Sequence, residues 1–241
     1  KNSNSGLPGW FINTVTVDKK GCVWVGTDDG LAKFDGTNWS VFNTSNSGLP
    51  ENNCNVLSIS GSDSVWISTS YGLTLYDGTT WRTYTKSNSG LQSNYIHSVC
   101  DTRKGIIWIG TMEGLAKFDG TNWTTYTTQN SGLLNNSISS IVSEESGLVW
   151  IGSGFGGLVS FDGTTWLTRN TSNSGLPENS VYITAADQKG TKWMGVWGGV
   201  TCFNGLKWFT YTPENSKLPS GQVRSIAFEQ PNITWIATES G

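Results

Sequence analysis

Few residues in this sequence have side chains suited to acid–base catalysis. There is one histidine, His97, so a histidine-centred metal cluster is excluded and a Ser-His-Asp triad would depend on that residue alone. Four carboxylates in short turns could converge as a glycosidase requires: Asp28, Asp29, Glu113 and Glu239. Turns also favour acidic residues for conformational reasons. We therefore expect no enzyme activity and no catalytic residues, with a lyase or hydrolase as an outside alternative.

The cysteines do not form a metal or redox motif. They occupy different positions of the chain with no C-x-x-C spacing: Cys22, Cys54, Cys100 and Cys202. We expect small buried thiols, and neither a metal nor a cofactor.

Composition excludes two classes of partner. Charged residues make up 14% of the 241 residues and the formal net charge is −3, with Lys and Arg scattered singly. Nucleic-acid binding needs a basic patch, so we expect no nucleic-acid partner. No apolar run is long enough for a membrane span in this segment. The 36% of hydrophobic residues can form a sizeable core.

The tryptophans show that the chain is built from repeats. One series of Trp recurs every 42 residues, with one interval of 43: Trp24, Trp66, Trp108, Trp150, Trp193 and Trp235. An NSGLP-like segment follows the same period, with its Asn at Asn4, Asn46, Asn88, Asn130, Asn173 and Asn215. A block of the form F/Y-D-G-x-x-W is a third marker, present in four units and as a variant with Asn204 in a fifth. Three markers thus define six units.

Each unit has the pattern of four short strands. In the first unit the strands are predicted at 12–18, 22–26, 31–34 and 39–42, and the Asp-Gly pair suits a hairpin between the last two. Four strands in about 42 residues are typical of a propeller blade. The predicted fold is all-β, a single β-propeller domain over 1–241 with about six four-stranded blades at 4–45, 46–87, 88–129, 130–172, 173–214 and 215–241. The last blade is incomplete, so we expect a fragment of a longer polypeptide that carries further domains.

These residues carry a family resemblance. The pattern W-[VI]-G-T-x-x-G-L-x-x-[FY]-D-G-x-x-W after an NSGLP turn resembles the two-component regulator propeller repeat, and 24–39 and 108–123 match it throughout. The resemblance implies the periplasmic sensor region of a bacterial hybrid histidine kinase, or a secreted or surface protein. It leads us to expect an extracellular, periplasmic or cell-surface location.

Residues that occur in one unit only are candidates for function. Trp10 and Trp197 are the two tryptophans that the repeat does not explain, and both fall in loops expected at one face. Two columns of the repeat also vary, the turn between the second and third strands and the start of the first strand. The predicted ligand-binding set is Trp10, Asp28, Asp29, Tyr71, His97, Glu113, Phe155, Tyr182, Trp197, Arg224 and Glu239. An alternative remains open, in which these side chains fill space or occupy turns that tolerate any residue.

Two functional hypotheses follow. The first is a non-catalytic extracellular or periplasmic module that binds a ligand, a glycan or a protein, on the face of these loops, and that could act as a sensor. The second is a structural or adhesive display module of a secreted bacterial surface protein. The unshared aromatic residues favour the first, and the near-identical SNSGLPEN loops favour the second.

Overall fold

The computed structural model describes residues 6–102, 104–229 and 233–241. Within them the chain is all-β, with 22 strands and no helix, so none is available to cross a membrane. Two compact units are present. Unit 1 comprises the described residues of Lys1–Met112 with Ala116–Thr125, and unit 2 comprises Glu113–Leu115 with Tyr126–Gly241. The marker residue Asn4 lies outside the described residues.

The strands of unit 1 form three antiparallel sheets in sequence order. The first sheet contains β1 (Ile12–Val17), β2 (Val23–Thr27), β3 (Gly30–Phe34) and β4 (Trp39–Phe42). The second contains β5 (Val56–Ile59), β6 (Val65–Thr69), β7 (Gly72–Tyr76) and β8 (Trp81–Tyr84). The third contains β9 (Ile96–Asp101), β10 (Ile107–Thr111), β11 (Gly114–Phe118) and β12 (Trp123–Tyr126). Of this sheet, Glu113–Leu115 and the last residue, Tyr126, are counted with unit 2.

Unit 2 contains two more four-stranded sheets and one two-stranded sheet. The fourth sheet contains β13 (Ile138–Ser143), β14 (Val149–Ser153), β15 (Gly157–Phe161) and β16 (Trp166–Arg169). The fifth contains β17 (Val181–Ala186), β18 (Lys192–Val196), β19 (Gly199–Phe203) and β20 (Trp208–Tyr211). The sixth contains β21 (Val223–Glu229) and β22 (Ile233–Thr238). These are the blades of a β-propeller, and the last one has two strands as predicted.

Within each unit the core lies between consecutive sheets. In unit 1, Trp24 and Leu31 of the first sheet pack on Leu57, Val65 and Ile67 of the second. The largest buried rings belong to the Trp on the second strands of the sheets. Trp24, for example, is 3% exposed. Trp235 is 60% exposed, because the sixth sheet has no third strand beside β22. The exposed apolar edge expected of an incomplete blade is therefore present.

The NSGLP marker is explained by its Asn. The side-chain oxygen of Asn46 accepts the Asn43 N–H at 2.8 Å, and its amide nitrogen donates to the Val41 carbonyl at 3.0 Å. These bonds reinforce a turn that the backbone also closes, since the N–H groups of Asn46 and Ser47 donate to the Asn43 carbonyl at 3.3 and 3.0 Å. The same pair of side-chain bonds forms at Asn88, Asn173 and Asn215. This marker belongs to the scaffold.

The Asp-Gly marker forms the connection between the third and fourth strands, as predicted. Gly36 has φ of +98°, a left-handed conformation that favours glycine. The carboxylate of Asp35 accepts the N–H groups of Thr37 and Asn38 at 2.9 and 2.7 Å. These two bonds hold the pKa of the exposed Asp35 carboxyl below its usual range.

The cysteines are free, as expected from their spacing. Cys22, Cys54 and Cys202 are buried, and Cys100 is half-buried. Burial raises the pKa of the Cys54 thiol to about 12, with a smaller contribution from the charge of Glu51. A thiol with that pKa carries almost no thiolate at neutral pH and is inert.

Candidate functional site

In the first, second and fifth sheets, the segment that enters the sheet is hydrogen-bonded to the turn between the second and third strands of the same sheet. In the second sheet, Glu51 of the entering segment accepts the backbone N–H of Ser70 at 2.8 Å. In the fifth sheet, Glu178 at the same repeat position accepts the N–H of Trp197. The entering segment and the turn therefore lie side by side and form one surface on each of these sheets.

In the first sheet the entering segment and the turn are also joined by a carboxylate, but here the carboxylate lies in the turn. Asp28 lies in the turn, and its Oδ1 accepts the N–H of Phe11 in the entering segment at 3.0 Å. Gly9 replaces the Glu, and a Cβ there would lie 2.1 Å from the same Asp28 oxygen. The neighbouring Asp29 accepts a hydrogen bond from Asn52 at 3.1 Å. Both carboxylates are thus engaged within the protein.

Trp10 occupies a position that holds asparagine in four other repeats. Asn52 accepts the backbone N–H of Thr44 at 2.9 Å, and Asn94, Asn136 and Asn179 each accept the N–H eight residues upstream. An indole cannot accept such a bond. Trp10 is 68% exposed, and Phe11 beside it is also exposed. Unit 1 therefore presents an aromatic pair at the entry to the first sheet.

The variable column at the start of the first strand coincides with a β-bulge. The register between β17 and β18 shifts between Val181 and Ile183, which leaves Tyr182 unpaired. The register between β21 and β22 shifts in the same way around Arg224. Equivalent shifts occur at Asn13, His97 and Ser139. A bulge redirects its extra side chain, and bulges are frequent beside functional sites.

In unit 2 two of these bulge residues meet Trp197. A cavity of about 290 Å³ between the fifth and sixth sheets is lined by Tyr182, Trp197, Gln222, Val223 and Arg224. Trp197 is 69% exposed, so most of its ring is available to a ligand. The volume is at the lower end of the range of small-molecule sites, about 300–1,000 Å³. This cavity unites three of the predicted residues in one place, and we take it as the candidate site.

The polar groups of the cavity are partly fixed. The Tyr182 hydroxyl donates to the Val196 carbonyl. Burial raises the pKa of this hydroxyl, the charge of Glu178 raises it further, and the Val223 N–H and Arg224 act in the opposite direction. Arg224 forms an ion pair with Glu239 at 3.0 Å, and both side chains are more than half exposed. Such an exposed pair contributes little to stability, so Arg224 can exchange this partner for a ligand at low cost.

The other predicted residues lie elsewhere. Tyr71, His97, Glu113 and Phe155 are exposed, and none of them lines this cavity. Among the described residues no group of three or more His, Cys, Asp or Glu side chains could hold a metal ion.

Sequence reasoning missed three contributors to the site. Gln222 and Val223 line the cavity, and Glu178 holds the turn that carries Trp197. The spacing of 19 residues between Glu178 and Trp197, which equals that between Glu51 and Ser70, was a visible signal. Its meaning depends on the contact between the entering segment and the turn, which spacing alone does not give.

Comparison with known proteins supports the repeat and the fold. Residues 90–113 match the family described as two component regulator propeller, which confirms the resemblance read from the motifs. A search of curated proteins gives no significant match.

Solved structures of similar fold are numerous. The extracellular domain of BT3049 from B. thetaiotaomicron, described as a hybrid two component system, has a TM-score of 0.74 and 21% identity. PorZ of Porphyromonas gingivalis, a surface component of the type-IX secretion system, has a TM-score of 0.74 and 17% identity over 95% of this chain and 37% of its own. Virginiamycin B lyase of Staphylococcus aureus has a TM-score of 0.77 and 12% identity over 99% of this chain and 80% of its own. The present chain is covered to 98% by BT3049 but spans only 39% of that domain.

Proposed function

We propose that this chain, which carries a two component regulator propeller repeat, is a non-catalytic ligand-binding module. The observation that carries the proposal is the cavity in which Tyr182, Trp197 and Arg224 converge. Two aromatic rings and a cation on rigid sheets, beside a fixed backbone turn, form a recognition surface rather than a reaction centre. The carboxylate of Glu239 beside the cavity is paired with Arg224.

We propose a glycan as the ligand. The exposed face of Trp197 is suited to stack on the apolar face of a sugar ring, as aromatic side chains with one wet face do at interfaces. Arg224 and Glu239 supply a donor and an acceptor for hydroxyl groups, and Gln222 adds an amide. A protein side chain of similar shape would satisfy the same cavity, and the experiment below includes that outcome.

The proposed location is outside the cell or in the periplasm, at the cell surface or in a sensor. Two relatives of similar fold are named as an extracellular domain of a two component system and as a surface component of a secretion system. In such a protein the module would be joined to further domains of the same polypeptide. If those domains signal, occupancy of the cavity would be the input.

A second candidate function is structural or adhesive display. It is favoured by the near-identical entering loops, in which Asn46 and its counterparts are engaged in fixing the turn. A lyase or hydrolase activity remains a third candidate, suggested by the lyases among the structures of similar fold.

The experiment is binding of a glycan array followed by calorimetry on the best oligosaccharide, with Trp197→Ala as the variant. We expect Trp197→Ala to weaken binding at least tenfold, which corresponds to about 1.4 kcal/mol. Phe155→Ala is the matched control, because Phe155 lies in the equivalent turn of the fourth sheet, is exposed and does not line the cavity. It should bind as the native protein does.

Equal affinities of the Trp197→Ala variant and the native protein would show that the ligand does not bind in this cavity. Failure of every glycan while a peptide library binds in a Trp197-dependent manner would replace glycan by protein as the ligand. Failure of both libraries would favour the display module.

A further inference from the structure

The series of Trp is held by carboxylates in four of the sheets. The indole N–H of Trp24 donates to Asp18 at 3.0 Å, and the residue six positions upstream accepts in the same way for Trp150, Trp193 and Trp235. The acceptors are Glu144, Asp187 and Glu229, at 2.8, 3.3 and 2.9 Å. The scaffold thus ordinarily supplies one carboxylate to each of these indole N–H groups.

The second sheet has a serine in that position. Ser60 Oγ accepts the N–H groups of Ser62 and Ser64 at 3.3 and 3.0 Å, which is the turn-closing role of one oxygen of Asp18. Serine has no second oxygen for the indole. Trp66 is 3% exposed, and its N–H has no hydrogen-bond partner among the described residues. The described side-chain atoms that are fully buried without a partner are Ser140 Oγ and Thr184 Oγ1, so the Trp66 N–H is accessible from the cavity that Trp66 lines and is available to an acceptor that enters it.

Trp66 lines a cavity with a free cation. The cavity lies in unit 1, has a volume of about 340 Å³, and is lined on its apolar side by Trp66, Leu75, Tyr84, Ile107 and Phe118. Arg82 also lines it, pairs with Leu75 in the strand register, and forms no ion pair or hydrogen bond within the described part of the chain. The cavity therefore combines an unpaired donor, a cation and an apolar wall.

The residue beside the indole explains why the cavity is open here. In the first sheet Lys33 lies over the Trp24 ring, 4.9 Å from its centroid. The corresponding residue of the second sheet is Leu75, so no ammonium covers Trp66. The equivalent cleft beside Trp24 has a volume of about 190 Å³. The cavity beside Trp66 is therefore larger and more apolar than the cleft beside Trp24, which Lys33 partly fills.

We propose that this cavity binds a small monocarboxylate with an apolar body. Its carboxylate accepts the Trp66 indole N–H and faces Arg82, and its body packs against Tyr84 and Phe118. The ligand thereby supplies the group that Asp18 supplies in the first sheet. This site is separate from the glycan site and does not depend on it.

The test uses phenylacetate as the probe and phenylacetamide, its uncharged analogue, as the control ligand. Titration into the native protein is followed by the NMR resonance of the Trp66 indole N–H and by calorimetry. We expect a downfield shift of that resonance and at least tenfold tighter binding of phenylacetate than of phenylacetamide. Equal affinities, or no phenylacetate binding up to about 10 mM, would overturn the proposal.

Variants locate the site. Ser60→Asp places a carboxylate within the protein where the ligand is proposed to put one, so it should abolish phenylacetate binding. Ser87→Asp adds the same charge at an exposed loop position and should leave binding unchanged. Arg82→Gln, at an exposed residue whose loss should not affect folding, should weaken binding about tenfold. Unchanged binding in Ser60→Asp, or in Arg82→Gln if Ser60→Asp does not fold, would show that the ligand lies elsewhere.

Discussion

Replacing Asp18 with Ala is expected to lower the free energy of unfolding by about 3 kcal/mol, because hydrogen bonds to charged groups contribute about 1.5–3 kcal/mol each and are not fully additive. Asp18 is buried, and its two oxygens accept the N–H groups of Lys20 and Cys22 and the indole N–H of Trp24. The variant leaves the buried indole N–H without an acceptor. Urea unfolding of the native protein and the variant measures the difference.

Asp18→Ser is the informative partner variant, because it gives the first sheet the arrangement found at Ser60. A serine should still close the turn and lose only the bond to Trp24. We expect a loss of about 2 kcal/mol, smaller than for Ala. Equal losses for Ser and Ala would show that the turn, rather than the indole, depends on Asp18.

The pH dependence of this difference has a defined sign. Burial acts to raise the pKa of Asp18, but the hydrogen bonds from Trp24, Cys22 and Lys20 and the charge of Lys33 outweigh it and hold the pKa below its usual value. A carboxyl whose pKa is lower in the folded state contributes stability that is complete above the unfolded pKa, near 4, and is lost as the pH falls through the folded value. The gap between native protein and Asp18→Ala should therefore narrow below about pH 4. A gap that widens on acidification would contradict the assignment.

Replacing Gly90 with Ala is expected to destabilise the protein by about 2 kcal/mol, within the range for overpacking a close contact. A Cβ at Gly90 would lie 2.3 Å from the Cβ of Trp123, an atom tied closely to the backbone of β12. The glycine of the NSGLP segment makes the same close approach to the next D-G-x-x-W tryptophan in other repeats, at Gly48, Gly132 and Gly175. The contact therefore joins two of the sequence markers.

Gly120→Ala is the control for this variant. Gly120 has φ of +95° and no atom within 4 Å of its added Cβ, so only backbone strain of about 1 kcal/mol is expected. Thermal unfolding of both variants should show the larger loss for Gly90→Ala. The reverse order would mean that Trp123 moves aside at little cost.

The repeat and the strands could be predicted because they depend on local patterns. The predicted strand at 39–42 coincides with β4, and the predicted start of the first strand at Ile12 is that of β1. The roles of the acidic residues could not be predicted from the same patterns. The sequence explains Asp18 by the turn that follows it, whereas its bond to Trp24 requires the indole to fold back over that turn. The spacing of six residues was visible, but its physical meaning comes from packing.

The candidate site shows the same limit. Variation among repeats singled out Tyr182, Trp197 and Arg224, since the scaffold does not explain them. It did not separate them from Asp28, which varies equally and is engaged by the Phe11 N–H. That distinction depends on Gly9, whose lack of a side chain makes room for the Asp28 carboxylate. A glycine at position 9 and a carboxylate at position 28 are matched only because they meet in the folded chain.

The placement of the candidate site between two sheets has a consequence for how its occupancy can be measured. Tyr182 and Trp197 belong to the fifth sheet, and the opposite wall, Gln222 to Arg224, lies at the start of β21 in the sixth. A ligand that contacts both walls stabilises the closed pair of sheets by about 2.7 kcal/mol at a concentration of 100 times Kd. Local opening of β21 then becomes rarer, so occupancy of the cavity would be visible as slowed amide hydrogen exchange along that strand.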